Sequence, residues 1–239
     1  MLSFNWFLVG VALAASSCSS SENTSELEGS FETKFVTDNF FLYEDVSDEW
    51  MKNFIERKNP SRDESVKTNA QLASEVGQVA RCFGLDGRVF AGLVAQESAF
   101  KMNVVSNTGA AGLTQQTGIG IVEVNDQLGR RGKDYARAGA INYFQSAIKC
   151  SVSETPWKNL WERAPTTQAM KEILKSDSQT ALIYGAVLLK TNLSAAKTHS
   201  ANGTIESLYR DALRRYNGDP AQKEHYQAKI MKYAAEDFI

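Results

Sequence analysis

The chain has 239 residues, 43% of them apolar and 23% charged. It is long enough to bury a core, and this balance excludes a disordered, collagenous or multi-span membrane protein. Four prolines and sixteen glycines are too few for a turn-dense β-sandwich and point to helices. The net charge of −2 hides an asymmetry: residues 19–49 hold nine acids against the single base Lys34, which leaves +6 on residues 50–239. A basic body behind an acidic leader points to a polyanionic partner.

Phe4 to Ala15 forms an apolar run of about twelve residues. Roughly twenty are needed to span a bilayer, so residues 1–17 read as a secretory signal peptide and predict export. The small residues Ala15, Ser16 and Ser17 before Cys18 resemble a bacterial lipobox, although Ala15 stands where Leu is usual and no Lys or Arg precedes the run. That resemblance implies acylation of Cys18 and a lipid anchor in the membrane. Ser19 after it resembles outer-membrane sorting, hence a periplasmic lipoprotein. Residues 18–66 then form an acidic, Ser-rich tether and arm. Ser19–Ser30 has no periodicity, and the Phe-rich stretch Phe31–Tyr43 either packs on the body or stays solvated.

A short helix is expected over Trp50–Arg57, ended near Asn59-Pro60. From Lys67 onward, helical periodicity predicts Ala70–Cys82, Arg88–Ser98, Leu113–Leu128, Ala138–Cys150, Ala169–Ser176, Ser178–Ser194, Ile205–Tyr216 and Pro220–Phe238. Glycines at 84, 109, 129, 132 and 218 mark turns between them. There is no internal repeat and no convincing pair of alternating strands. Residues 67–239 are therefore expected to be one mostly α, all-α domain.

Setting Cys18 aside leaves Cys82 and Cys150, an even pair suited to an oxidising compartment. A disulfide between them would be worth roughly 4 kcal/mol by chain entropy; two buried thiols are the alternative. His199 and His225 have no metal-ligand context, so neither a metal site nor a cofactor is expected.

Phe90, Leu93, Val94 and Glu97 fall at i, i+3, i+4 and i+7, one face of a helix. A carboxylate ending an apolar stripe either swings out to solvent or is buried and held protonated near neutral pH. The second state suits a general acid.

Downstream residues bear on that choice. Glu97-Ser98-Ala99-Phe100 is followed by Ser106-Asn107-Thr108-Gly109-Ala110-Ala111-Gly112-Leu113-Thr114-Gln115. This resembles the signature of the soluble-lytic-transglycosylase and goose-type-lysozyme superfamily, E-S-x-F, a loop, then S-x-x-G-A-x-G-L-M-Q. Nine positions match without a gap. Leu182–Leu189 resembles the family helix with G-x-x-Y-L, with Leu188 for its Tyr and Ala181 for an Asn. Arg215-Tyr216-Asn217-Gly218 resembles the A-Y-N-A-G motif, short of one turn residue. The resemblance covers roughly Ala70 to Phe238.

It implies a lysozyme-like fold and cleavage of the MurNAc–GlcNAc β-1,4 bond of peptidoglycan. Glu97 would be the acid and then the base, letting the muramyl 6-hydroxyl close a 1,6-anhydro ring. Ser106, Gln115, Tyr216 and Asn217 would bind substrate, with Tyr216 as a wall for sugar rings. Gly109 and Gly112 would let the backbone approach a ligand, and Leu113 would open a helix. A goose-type hydrolase would carry an Asp near Thr117; here Glu123 and Asp126 are the nearest acids. Thr114, Gln116, Thr117 and Gly118 depart from the family pattern and would line the groove. The alternatives are a hydrolytic muramidase using water, or a catalytically weak murein-binding envelope protein. A nucleic-acid partner has no motif to support it.

Overall fold

The computed structural model describes residues 34–37, 40–42, 46–128, 166–199 and 203–236. The expected signal peptide, Cys18, Cys150 and the helix expected at Ala138–Cys150 lie outside them. The described residues are mostly helical, with eight helices: α1 Asp48–Lys58, α2 Asn69–Phe83, α3 Gly87–Ser98, α4 Gly118–Gln127, α5 Thr167–Ser176, α6 Ser178–His199, α7 Ile205–Tyr216 and α8 Lys223–Ala234. Against the expectation of no strand pair, Lys34–Thr37 (β1) and Phe40–Leu42 (β2) form a short antiparallel ladder with an irregularity between Phe35 and Thr37. Their backbones pair across a two-residue connection, a local hairpin that does not need a repeating hydrophobic pattern.

Helix starts are written in side-chain oxygens. Ser47, Thr68, Asp86, Thr117, Thr166 and Thr204 each accept a backbone N–H from the first turn of α1, α2, α3, α4, α5 and α7. Thr68 and Gln71 complete a capping box. Asp177 works in both directions: its N–H closes α5 on Ile173 O, and its carboxylate accepts the N–H of Thr180 in α6. α2 stops on Gly84 at φ +57, a left-handed position glycine takes without steric cost.

α3 and α6 are apolar almost all round and run through the middle of one core. The other helices lay one apolar stripe each against them. α1 belongs to this same core, through Met51, Phe54 and Ile55. α8 approaches α3 at Gly92, where a Cβ would stand 3.0 Å from Ile230 O. The buried Tyr209 hydroxyl of α7 accepts the N–H of Asp86 at 2.7 Å, tying the start of α3 to α7. Cys82, at the end of α2, is disulfide-bonded.

Besides the end of α8, at Ala234 rather than Phe238, three helix boundaries differ by three residues or more from those expected. α6 continues to His199, five residues past Ser194. α8 begins at Lys223 because Asp219 takes the N–H of Ala221 on its side chain and of Gln222 on its carbonyl, a turn that uses the groups a helix start would need. The third is Leu113, which opens no helix. Residues 111 to 116 turn back on themselves through paired Ala111 and Gln116 backbone hydrogen bonds, with Gly112 at φ +78 and Gln115 at φ +45. Two left-handed residues cannot sit in a right-handed turn, so α4 waits for its cap at Thr117.

Candidate active site

Glu97 sits in the last turn of α3, the helix buried on most of its circumference. Its carboxyl receives the hydroxyl hydrogen bond of Tyr226 from α8. Burial pushes the Glu97 carboxyl up from 4.5 to about 7, with the Tyr226 bond pulling the other way. The cause is desolvation of the charged form, and the hydroxyl offsets part of it by favouring the carboxylate. Among the described residues no charged group contributes to the shift. Tyr226 and Tyr216 are both raised well above 10 by burial and by the nearby Glu97, so both are neutral donors across the ordinary pH range.

Glu97 is thus crowded rather than swung out to solvent, a carboxyl poised near neutrality. It is charged or protonated in comparable amounts around pH 7 and can both give and take a proton.

Behind it the chain makes an unusual turn. Ala99 and Phe100 are consecutive left-handed residues at φ +48 and +60, neither of them glycine. Phe100 is fully buried and meets the edge of Phe54 at 5.9 Å between ring centres. The turn launches the loop of residues 101–117, which carries the rest of the motif.

That loop is closed by its own side chains. The Ser106 hydroxyl accepts the N–H of Ala110 at 3.0 Å and pairs with the Thr108 hydroxyl at 2.9 Å. The Gln115 amide donates to Val104 O at 3.2 Å and Gly112 O at 2.9 Å. Both residues expected to bind substrate therefore spend these groups on holding the loop. The two glycines divide differently from expectation. A Cβ at Gly112 would meet Leu174 O of α5 at 2.3 Å, so its close approach is to a helix of this chain rather than to a ligand.

Thr114 and Gln116, expected to line the groove, are closed to solvent at 0% and 1% exposure. Thr114 donates its hydroxyl to Ala181 O at 2.8 Å, and Gly185 of α6 makes room for it: a Cβ there would lie 2.4 Å from Thr114 Cγ2. The Tyr216 hydroxyl donates to Thr114 O at 2.9 Å and accepts from the Gln116 amide at 2.7 Å. Tyr216 thus stands beside Glu97 with its hydroxyl engaged by the loop. Asn217 closes α7 as its C-cap, its N–H bonding Leu213 O at 3.2 Å. Thr117 and Ile119 face solvent, Ile119 at 85%.

Tyr226 was the residue the motif comparison missed. Its available signal was its spacing: Tyr226, Ile230 and Tyr233 share one face of α8, and a buried tyrosine on such a face needs a partner for its hydroxyl.

A cleft of about 650 Å³ opens among Arg62, Val66, Phe100, Met102, Val104 and Lys175, with Glu97 not in its walls. Of the cations in its walls, Lys175 pairs with Glu172 at 2.6 Å and Arg62 donates to backbone carbonyls. Among the described residues no group of three His, Cys, Asp or Glu is placed to hold a metal, and no helix is long and apolar enough to cross a membrane. Comparison of the chain with protein-family models, curated proteins and solved structures gives no match.

Proposed function

We propose that the chain is a peptidoglycan lytic transglycosylase with a lysozyme-like fold, which cleaves the MurNAc–GlcNAc β-1,4 bond and leaves 1,6-anhydro-MurNAc ends. The observation that carries this reading is the Glu97 carboxyl, partly buried, raised to about 7 and bonded by Tyr226, within the E-S-x-F and S-x-x-G-A-x-G-L-x-Q pattern.

In this reading Glu97 donates its proton to the glycosidic oxygen as the bond from the muramyl C1 breaks, and the GlcNAc leaves as an alcohol. The resulting carboxylate then takes the proton of the muramyl 6-hydroxyl as that oxygen bonds to C1. One carboxyl serves both steps and ends protonated, ready for the next cycle. Most glycosidases place a second carboxylate across the bond. An internal nucleophile removes that need, in keeping with a Glu97 that has no charged neighbour among the described residues. Tyr226 keeps the carboxyl oriented and makes its anionic state accessible between the two steps.

Ser106 and Gln115 support the site by fixing the loop shape, and Tyr216 forms a wall whose ring face suits a sugar. The basic body suits anionic strands and acidic stem peptides. With a signal peptide at 1–17 and acylation at Cys18, the enzyme works from the periplasmic face of a membrane.

Mass spectrometry of purified peptidoglycan digested by the protein and by Glu97→Gln tests the reading. Anhydro-ended muropeptides that disappear in the variant are the expected result. Reducing ends made with uptake of water would establish a muramidase instead. Binding to sacculi with no release would leave a glycan-holding module.

A further inference from the structure

We infer that Asn59 and Arg62 are positioning residues for Glu97, pinning from outside the left-handed turn that follows it. The inference rests on the reading of Glu97 as the acid. Its geometry comes from the connector between α1 and α2, ahead of the stretch that resembles the transglycosylase signature.

The Asn59 side-chain amide donates to Ala99 O at 3.0 Å, and Arg62 Nε donates to Phe100 O at 3.2 Å. These are the carbonyls of the two consecutive non-glycine residues at positive φ. Such residues persist only where the surroundings over-determine them. Both donors are themselves fixed. Asn59 is buried and ends α1, with its N–H on Ile55 O at 2.9 Å. The second arm of Arg62 donates to Lys67 O at 2.7 Å and Asn69 Oδ1 at 3.0 Å, and Asn69 in turn donates to the Glu64 carboxylate through its backbone and side-chain nitrogens.

Glu97 is two residues before Ala99, in the last turn of α3, where a helix end frays unless something holds the exit. With the turn pinned, the carboxyl stays pressed toward Tyr226. With the pins gone, Ala99 and Phe100 relax toward ordinary backbone angles, the last turn of α3 loosens and water reaches the carboxyl. Among the described residues, the titratable groups that face Glu97 from the elements packed on it are Tyr226 of α8 and Tyr216 of α7, both neutral hydroxyls.

The test is a carbon-13 titration of the Glu97 carboxyl in the full chain with its disulfide intact, assigned with Glu97→Gln. The Asn59→Ala, Arg62→Ala double variant should titrate lower than wild type, moving from about 7 toward 4.5 by at least about one pH unit. Adding Ala99→Gly should move it back up, because glycine holds a left-handed φ without help. On glycan strands the double variant should lose kcat with KM little changed. A folded double variant that still titrates at about 7 overturns the inference, whatever its loss of stability. If that variant does not fold, Arg62→Lys and Asn59→Ala are titrated singly, and unchanged midpoints in both overturn it equally. The titration needs no substrate, so absence of glycan cleavage would remove the functional reading and leave this result intact.

Discussion

Replacing Glu97 with Gln should stabilise the fold at pH 8 and change it little at pH 4. The carboxyl titrates near 7 in the folded chain and near 4.5 in the unfolded one. Between those values the folded state holds a proton that the unfolded state has released. Stability from this group is therefore fully present below 4.5 and is lost as pH rises through about 7. Each pH unit between the two midpoints is worth about 1.36 kcal/mol, so the carboxylate weakens the fold by about 3 kcal/mol once it is ionised. Glutamine keeps the shape and an oxygen for the Tyr226 hydroxyl, and it has no charge to desolvate. Since a neutral amide accepts that bond less strongly than a carboxylate, a gain of about 2–3 kcal/mol at pH 8 is expected. Urea unfolding of both proteins at pH 4 and pH 8 measures it. A difference of equal size at the two pH values would refute the buried-carboxyl argument, as would a variant weaker than wild type at pH 8.

Tyr226→Phe removes the hydroxyl that favours the charged form, so the Glu97 midpoint should rise above about 7 by roughly one to two pH units in a carboxyl titration; a fall would show that the hydroxyl favours the protonated form. Gly185→Ala drives a methyl into Thr114 and should cost about 3 kcal/mol in urea unfolding, part of it recovered by Thr114→Ser, which removes the clashing Cγ2. Gly112→Ala should cost a similar amount with no such recovery, since the obstacle is the Leu174 carbonyl and the backbone is left-handed. Cys82→Ser should lose about 2–5 kcal/mol when compared with wild type under non-reducing conditions, and the two should converge when a reductant is added.

Helical periodicity located the elements well where one apolar face and a side-chain cap agree. α7 spans Ile205–Tyr216 as the pattern predicts, because its apolar stripe lies between the Thr204 cap and the Asn217 stop. Two of the failures share a cause, which is that a local hydrogen bond took over a backbone group a helix start would need. Asp219 did so before α8, and the Ala111–Gln116 pairing did so where Leu113 seemed to start a helix. Those are local competitions of one or two hydrogen bonds, and hydrophobic spacing does not register them. The site divides similarly. Glu97 was visible as a charge in an apolar stripe. The roles of Gly112, Gly185 and Thr114 were not, since each depends on a neighbour from another element, at Leu174, Thr114 and Ala181. Asn59 and Arg62 were invisible for the same reason, their partners being the carbonyls of Ala99 and Phe100 forty and thirty-eight positions later.

The bond between Glu97 and Tyr226 joins residues 129 positions apart. A chain still being made has Glu97 long before it has the helix that covers it. Until α8 docks, that carboxyl lacks its Tyr226 partner and part of the burial that raises it, and behaves as a more ordinary acidic side chain, charged at neutral pH. The proton-holding state of Glu97 is thus conferred last, by a helix whose contribution is a neutral hydroxyl. For the glycan-cleaving enzyme proposed above, that order would leave an incomplete or frayed copy with its proposed acid in a harmless state.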